Sequence, residues 1–141
     1  MMIRQLFDKE SSTYTYLVAD RAAGVAALID PVLEQIDRDL AVIRELGLTL
    51  THVLETHVHA DHVTAAGRLR ERTGALTCAS AAGAPCVDVR LGHGDVVRIG
   101  EIAITALSTP GHTDDGMSFL VPGAVFTGDT LLIRGCGRAD F

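Results

Sequence analysis

Three imidazoles and a carboxylate fall within seven consecutive residues, Thr56-His57-Val58-His59-Ala60-Asp61-His62, directly after the apolar stretch His52-Val53-Leu54. A chain carrying such a segment has to fold so that a strand ends in a polar loop, because residues of a site need a rigid scaffold beneath them. Of the six histidines, four lie between His52 and His62. Imidazole nitrogen and carboxylate oxygen are preferred ligands of zinc and non-haem iron. The segment therefore predicts a metal site at a strand end.

The scaffold reads as α/β with much strand. Residues 3–7, 14–19 and 26–29 have the composition of short strands, the last closed by the turn signal Asp30-Pro31. Leu33, Ile36, Leu40, Ile43 and Leu46 repeat at three/four spacing, so a helix is predicted over 33–46 with Gly47 as its stop. Residues 51–55 return as a strand. A second helix is predicted from Asp61, placed as its N-cap, to Arg72 or Thr73, with Gly74 behind it. Between 74 and 94 the period is weak, and a loop with one short strand near 75–79 is expected. Two hairpins follow, turning at Gly100-Glu101 and at Pro122-Gly123. Strands with two helices among them, and no repeat or linker, indicate a single domain over residues 1–141.

Composition narrows the function. The 141 residues are 48% hydrophobic and 21% charged, enough to bury a core and outside the disordered range. A net charge of −6 argues against nucleic acid or an anionic membrane surface as partner. No apolar run is long enough to span a bilayer. The start, Met1-Met2-Ile3-Arg4-Gln5-Leu6-Phe7-Asp8, has no signal-peptide pattern. Cys78, Cys86 and Cys136 are odd in number and form no CxxC, which fits a reducing cytoplasm.

Two distal segments match the first. Thr109-Pro110-Gly111-His112-Thr113 and Thr127-Gly128-Asp129-Thr130 each put a ligand-type residue just past a predicted strand, in a glycine-flanked loop. Three strand ends can thus bring His57, His112 and Asp129 to one point. Two histidines and a carboxylate form the facial triad of non-haem Fe(II) oxygenases. His59, Asp61 and His62 then form either a second metal site or the hydrogen-bonding layer that orients the ligands. His52 reads as a packed strand residue and His93 as a turn residue. Cys136 reads either as a thiol beside the substrate or as a structural one. Tyr14 and Tyr16 share a strand face, and the pair Asp114-Asp115 is given no functional weight.

The pattern HxHxDH, followed by Pro-Gly-His-Thr and Gly-Asp-Thr, resembles the metallo-β-lactamase superfamily, an αββα sandwich with metals at the edge of its sheets. The run Leu132-Ile133-Arg134-Gly135-Cys136-Gly137-Arg138, with the opening Arg4-Gln5-Leu6-Phe7 and Thr13-Tyr14-Thr15-Tyr16-Leu17, resembles its persulfide dioxygenase (sulfur dioxygenase) branch. This resemblance implies an enzyme with one Fe(II) per chain, which oxidises glutathione persulfide with O2 and water to sulfite and glutathione. It implies His57, His112 and Asp129 as iron ligands and catalytic residues. His59, Asp61 and His62 are implied as supporting residues that do not bind iron. Arg138 is expected to hold a glutathione carboxylate by fork-shaped pairing. Superfamily members continue beyond the place where this chain stops, so a sandwich lacking its C-terminal portion is expected. Its uncovered apolar face should drive homo-oligomerisation or another association. One alternative is a binuclear zinc thioester hydrolase of the glyoxalase II type. There His57, His59 and His112 would hold one metal, Asp61 and His62 the other, and Asp129 would bridge. A non-catalytic fragment is the other.

Overall fold

In the computed structural model, which describes residues 1–140, the chain opens with an antiparallel meander. Strands β1 (Met2–Asp8), β2 (Thr13–Asp20) and β3 (Val25–Ile29) pair in that order. A turn of 3-10 helix (Leu33–Gln35) leads into α1 (Ile36–Glu45), which carries the chain back to β4 (Thr49–Leu54). β4 lies parallel to β3, and a parallel pair requires such a crossover. Helix α2 (Ala66–Thr73) makes the next crossover, to β5 (Leu76–Ser80), and β6 (Val89–Leu91) adds a third parallel pair. The second sheet is antiparallel throughout: β7 (Val96–Ile99), β8 (Ile102–Ser108), β9 (Met117–Val121) and β10 (Ala124–Phe126), in spatial order β10-β9-β8-β7. Its two hairpins turn where expected, since Ile99 pairs with Ile102 and Val121 with Ala124.

Side-chain alternation along the central strands builds two cores. On β2, Val18 faces the second sheet while Leu17 and Ala19 face the helices. Leu54 and Cys78 join Val18 against Ile99, Ile104, Phe119 and Phe126 in the intersheet core. Val53 and Leu28 pack with Ile36 and Ile43 of α1 and Leu69 of α2 in the other. β3 is therefore buried on both faces, which is why it reads as a continuous apolar run. The layer order is helices, mixed sheet, antiparallel sheet. Those are three of the four layers of an αββα sandwich, as the sequence implied.

Two expectations are corrected. The second helix begins at Ala66 rather than Asp61. Asp61 is not its cap: the Asp61 carboxylate meets the hydroxyl of Thr13 at 3.3 Å, and Thr64 Oγ1 accepts the Ala66 N–H. The span 74–94 contains β6 as well as the expected strand, which lies at Leu76–Ser80. β6 has three residues and is held by pairing to β5, so no local period announced it.

Candidate metal centre

Parallel pairing puts the C-terminal ends of β3 and β4 on one edge of the first sheet, together with the start of antiparallel β2. Site residues gather at that edge. Asp30 follows β3, the segment 55–62 follows β4, and Thr13 begins β2. The Met117 N–H donates to the Thr56 carbonyl at 2.7 Å, so the second sheet is stitched to the same loop. That stitch brings the loops after β8 and β10 alongside. Gly128 makes the approach possible: its φ is 52°, and a Cβ there would overlap the Thr56 side chain.

His57, His112 and Asp129 converge as the sequence predicts. Asp129 Oδ2 stands 3.6 Å from His57 Nε2 and 3.3 Å from His112 Nε2, and the two rings meet edge to face at 5.0 Å. The partners of the other ring nitrogens define the tautomers. Thr56 Oγ1 donates to Asp30 Oδ2 at 2.7 Å, so its oxygen accepts from His57 Nδ1 at 2.9 Å. His112 Nδ1 donates to the Arg138 carbonyl at 2.7 Å, since a carbonyl can only accept. Both Nε2 atoms therefore present lone pairs toward Asp129. The Asp129 side chain is 44% exposed, so at neutral pH its carboxyl is an anion. Three lone-pair donors aimed at one point repel unless a cation lies between them. Their separations match two ligands of one ion bound at about 2.0–2.2 Å. The donor set fits a metal.

His59 belongs to a different cluster. Its Nε2 lies 3.0 Å from Asp30 Oδ1 and 3.5 Å from Glu55 Oε2, with both carboxylates buried. Burial alone would lower the His59 pKa, but Asp30 and Glu55 push it up to about 10. Burial, reinforced by the nearby Asp30, raises Glu55 to about 7, although His59 and Thr64 pull the other way. Asp30 is held low: burial opposes, and His59 together with Thr56 prevails. The ring of His59 stacks between His57 at 4.0 Å and His62 at 4.3 Å. Asp61 and His62 are 3.2 Å apart, and the Thr13 hydroxyl touches both. His59, Asp61 and His62 nevertheless keep one ligand atom each within 4.8 Å of one another. Among the described residues, the buried Nε2 of His62 has no hydrogen-bond partner.

Arg138 sits at the rim. Its guanidinium forks onto Asp140 at 2.6 and 2.9 Å, and its carbonyl carries the contact to His112. Cys136 and Cys86 are exposed, while Cys78 is buried and its thiol is pushed up to about 12 by that burial. His93 Nδ1 accepts the Ser108 N–H, as befits a turn residue.

Sequence reasoning passed over four supporting residues: Asp30, Glu55, Thr56 and Asp115. Asp115, given no weight beside Asp114, is buried and accepts the Val58 N–H at 2.8 Å, pinning the backbone between His57 and His59. Asp30 carried a signal, since it too is a ligand-type residue just past a strand. Its neighbour Pro31 made it read as a turn.

Comparison with known proteins gives the family. Residues 8–86 match the family described as the metallo-beta-lactamase superfamily. The chain belongs to the metallo-β-lactamase superfamily. It is 45% identical, over its whole length, to the mitochondrial persulfide dioxygenase ETHE1 of Mus musculus, and covers 57% of that protein. A hydroxyacylglutathione hydrolase of Bradyrhizobium sp. is 38% identical over 95% of the chain, which covers 54% of that enzyme. The crystal structure of ETHE1 from Myxococcus xanthus superimposes with a TM-score of 0.99 at 62% identity, covering 100% of this chain and 63% of that one. The chain thus spans little more than half the length of the curated relatives it matches, 57% in the mouse case.

Proposed function

We propose that residues 1–141 form one domain carrying the metal centre of a persulfide dioxygenase. The reaction oxidises glutathione persulfide to sulfite and glutathione. The outer sulfur takes two oxygens from O2 and one from water, and glutathione leaves as its thiol. The observation that carries this reading is the convergence of His57 Nε2, His112 Nε2 and one oxygen of Asp129, with both histidine tautomers set for ligation. Held by His57, His112 and Asp129, one Fe(II) would supply the redox chemistry between O2 and the outer sulfur.

The chain's own residues supply the orientation. Thr56 and the Arg138 carbonyl keep the Nδ1 protons on His57 and His112. Asp129 adds the anionic ligand. A cavity of about 350 Å³ beside Asp129, lined by Tyr14, Tyr16 and Leu132, is of a size to receive part of the thiol peptide. Arg138 would exchange Asp140 for a carboxylate of that peptide, because a guanidinium fork serves either. An Arg138→Ala enzyme should then need more substrate to reach half its unchanged maximal rate. We place the protein in the cytoplasm. The three cysteines are free thiols, and no helix of the described residues is long and apolar enough to cross a membrane.

The clustering of His59, Asp61 and His62 favours a second reading, a binuclear zinc hydrolase of a glutathione thioester. Metal analysis of protein prepared without oxygen separates the two. One iron per chain with oxygen uptake on adding glutathione persulfide supports the dioxygenase. Two zincs per chain with thioester cleavage sinks it. One iron without oxygen uptake makes the chain a metal-binding part that works only with further polypeptide.

A further inference from the structure

We infer that residues 135–138 are a backbone strap that holds the ligands His112 and Asp129 together, and that Gly137 is the positioning residue which permits it. The inference rests on the reading that His57, His112 and Asp129 hold the metal. Beyond Asp129 the chain makes a tight turn in which Leu132 and Gly135 exchange both backbone hydrogen bonds, at 2.9 and 3.2 Å. The turn sends the chain back across the site. There the Gly137 N–H donates to the Asp129 carbonyl at 2.6 Å. One residue later the Arg138 carbonyl takes the Nδ1 proton of His112 at 2.7 Å. Two successive residues thus touch two ligands that stand 17 positions apart in sequence, 112 and 129.

A side chain at Gly137 has nowhere to go. A Cβ there would run into the Asp129 carbonyl oxygen and lie 2.7 Å from His112 Nδ1 and 2.9 Å from His112 Cγ. The first is backbone. The ring cannot retreat without turning Nε2 away from Asp129. Among the described residues, Gly135 of the same Gly-Cys-Gly run has nothing within 4 Å of the corresponding position. The strap also acts through the Arg138 carbonyl, which every residue possesses, so it is separable from any role of the guanidinium.

The test uses the whole chain, stripped of metal and titrated with Co(II), whose visible bands report ligand number and symmetry. Gly137→Ala should bind Co(II) about 10–100-fold more weakly, with altered bands. Its metal-free melting temperature should stay near that of the wild type. Gly135→Ala and Arg138→Ala should bind as the wild type does. Wild-type affinity and bands in Gly137→Ala overturn the strap alone, whereas a wild-type chain that binds no Co(II) overturns the metal reading and the strap with it. Should Gly137→Ala fail to fold, nitrogen NMR of the wild type decides: a proton on His112 Nδ1 supports the strap, and one on Nε2 overturns it.

Discussion

Asp30 ties together more of the site than His57, His112 or Asp129 does. It is 4% exposed, its φ is 53°, and it accepts the Thr56 N–H at 2.8 Å, the Thr56 hydroxyl at 2.7 Å and His59 Nε2 at 3.0 Å. Through Thr56 it fixes His57, and directly it fixes His59. Removing it strands both buried Thr56 donors and leaves Nε2 of the charged His59 with Glu55 alone, 3.5 Å away. Asp30→Ala should therefore cost about 3–5 kcal/mol in urea unfolding, and a loss below about 1 kcal/mol would contradict this account. The same cluster shapes the pH profile. His59, raised from 6.5 to about 10, contributes stability that is complete below pH 6.5 and is lost as pH climbs to about 10. Glu55, raised from 4.5 to about 7, weakens the fold as pH rises through that interval. Asp30, held below 3.8, works in the opposite sense and withdraws its support only in acid. Metal-free protein should thus show a lower urea midpoint at about pH 9 than at about pH 5, and His59→Gln should flatten the alkaline part. A midpoint that rises toward pH 9 would count against the buried ion pairs.

At the scale of elements, loop contacts decide how well the strand ends converge. Gly128 lets the loop after β10 lie against Thr56, and an alanine there meets both a left-handed backbone and the Thr56 side chain. Gly128→Ala should destabilise by about 1–3 kcal/mol and weaken metal binding together. Calorimetry with and without Co(II) checks both, and an unchanged melting point would refute the close approach. Phe119 tests the intersheet core, where it is fully buried from the middle of β9. Phe119→Ala should cost about 3–5 kcal/mol by urea unfolding. The hairpins and α1 were legible because their signals are local: a two-residue turn, a three/four apolar stripe. The start of α2 was not, since Asp61 could cap a helix or face Thr13, a partner 48 positions away. The sequence alone cannot rank those two.

For the whole molecule, the outer face of the second sheet carries the main consequence. Cross-strand pairing aligns Val125 with Leu120, Leu120 with Thr105 and Thr105 with Val96, so these four form one row across the sheet. Val125, Leu120 and Val96 are each exposed by more than two fifths of their surface, at 49, 43 and 49%. A face of this kind favours association. The chain should sediment larger than a monomer at micromolar concentration, and Leu120→Lys with Val125→Lys should shift it toward monomer. A clean monomer in the unmodified chain would remove the expectation.

The convergence of His57, His112 and Asp129 was readable in the chain alone, because ligand-type residues are few and these three each stand just past an apolar strand run. The glycines beside His112 and Asp129 were visible for the same reason. Tertiary structure alone decided which groups back those side chains. The Asp30 contacts reach 26 and 29 positions along the chain, and the one from the Arg138 carbonyl to His112 spans 26. A hydrogen bond to a backbone carbonyl has no residue signature, and a buried carboxylate is spelled like an exposed one. Only folding, by laying parallel strand ends side by side, distinguishes a ligand from the residue that holds it in place.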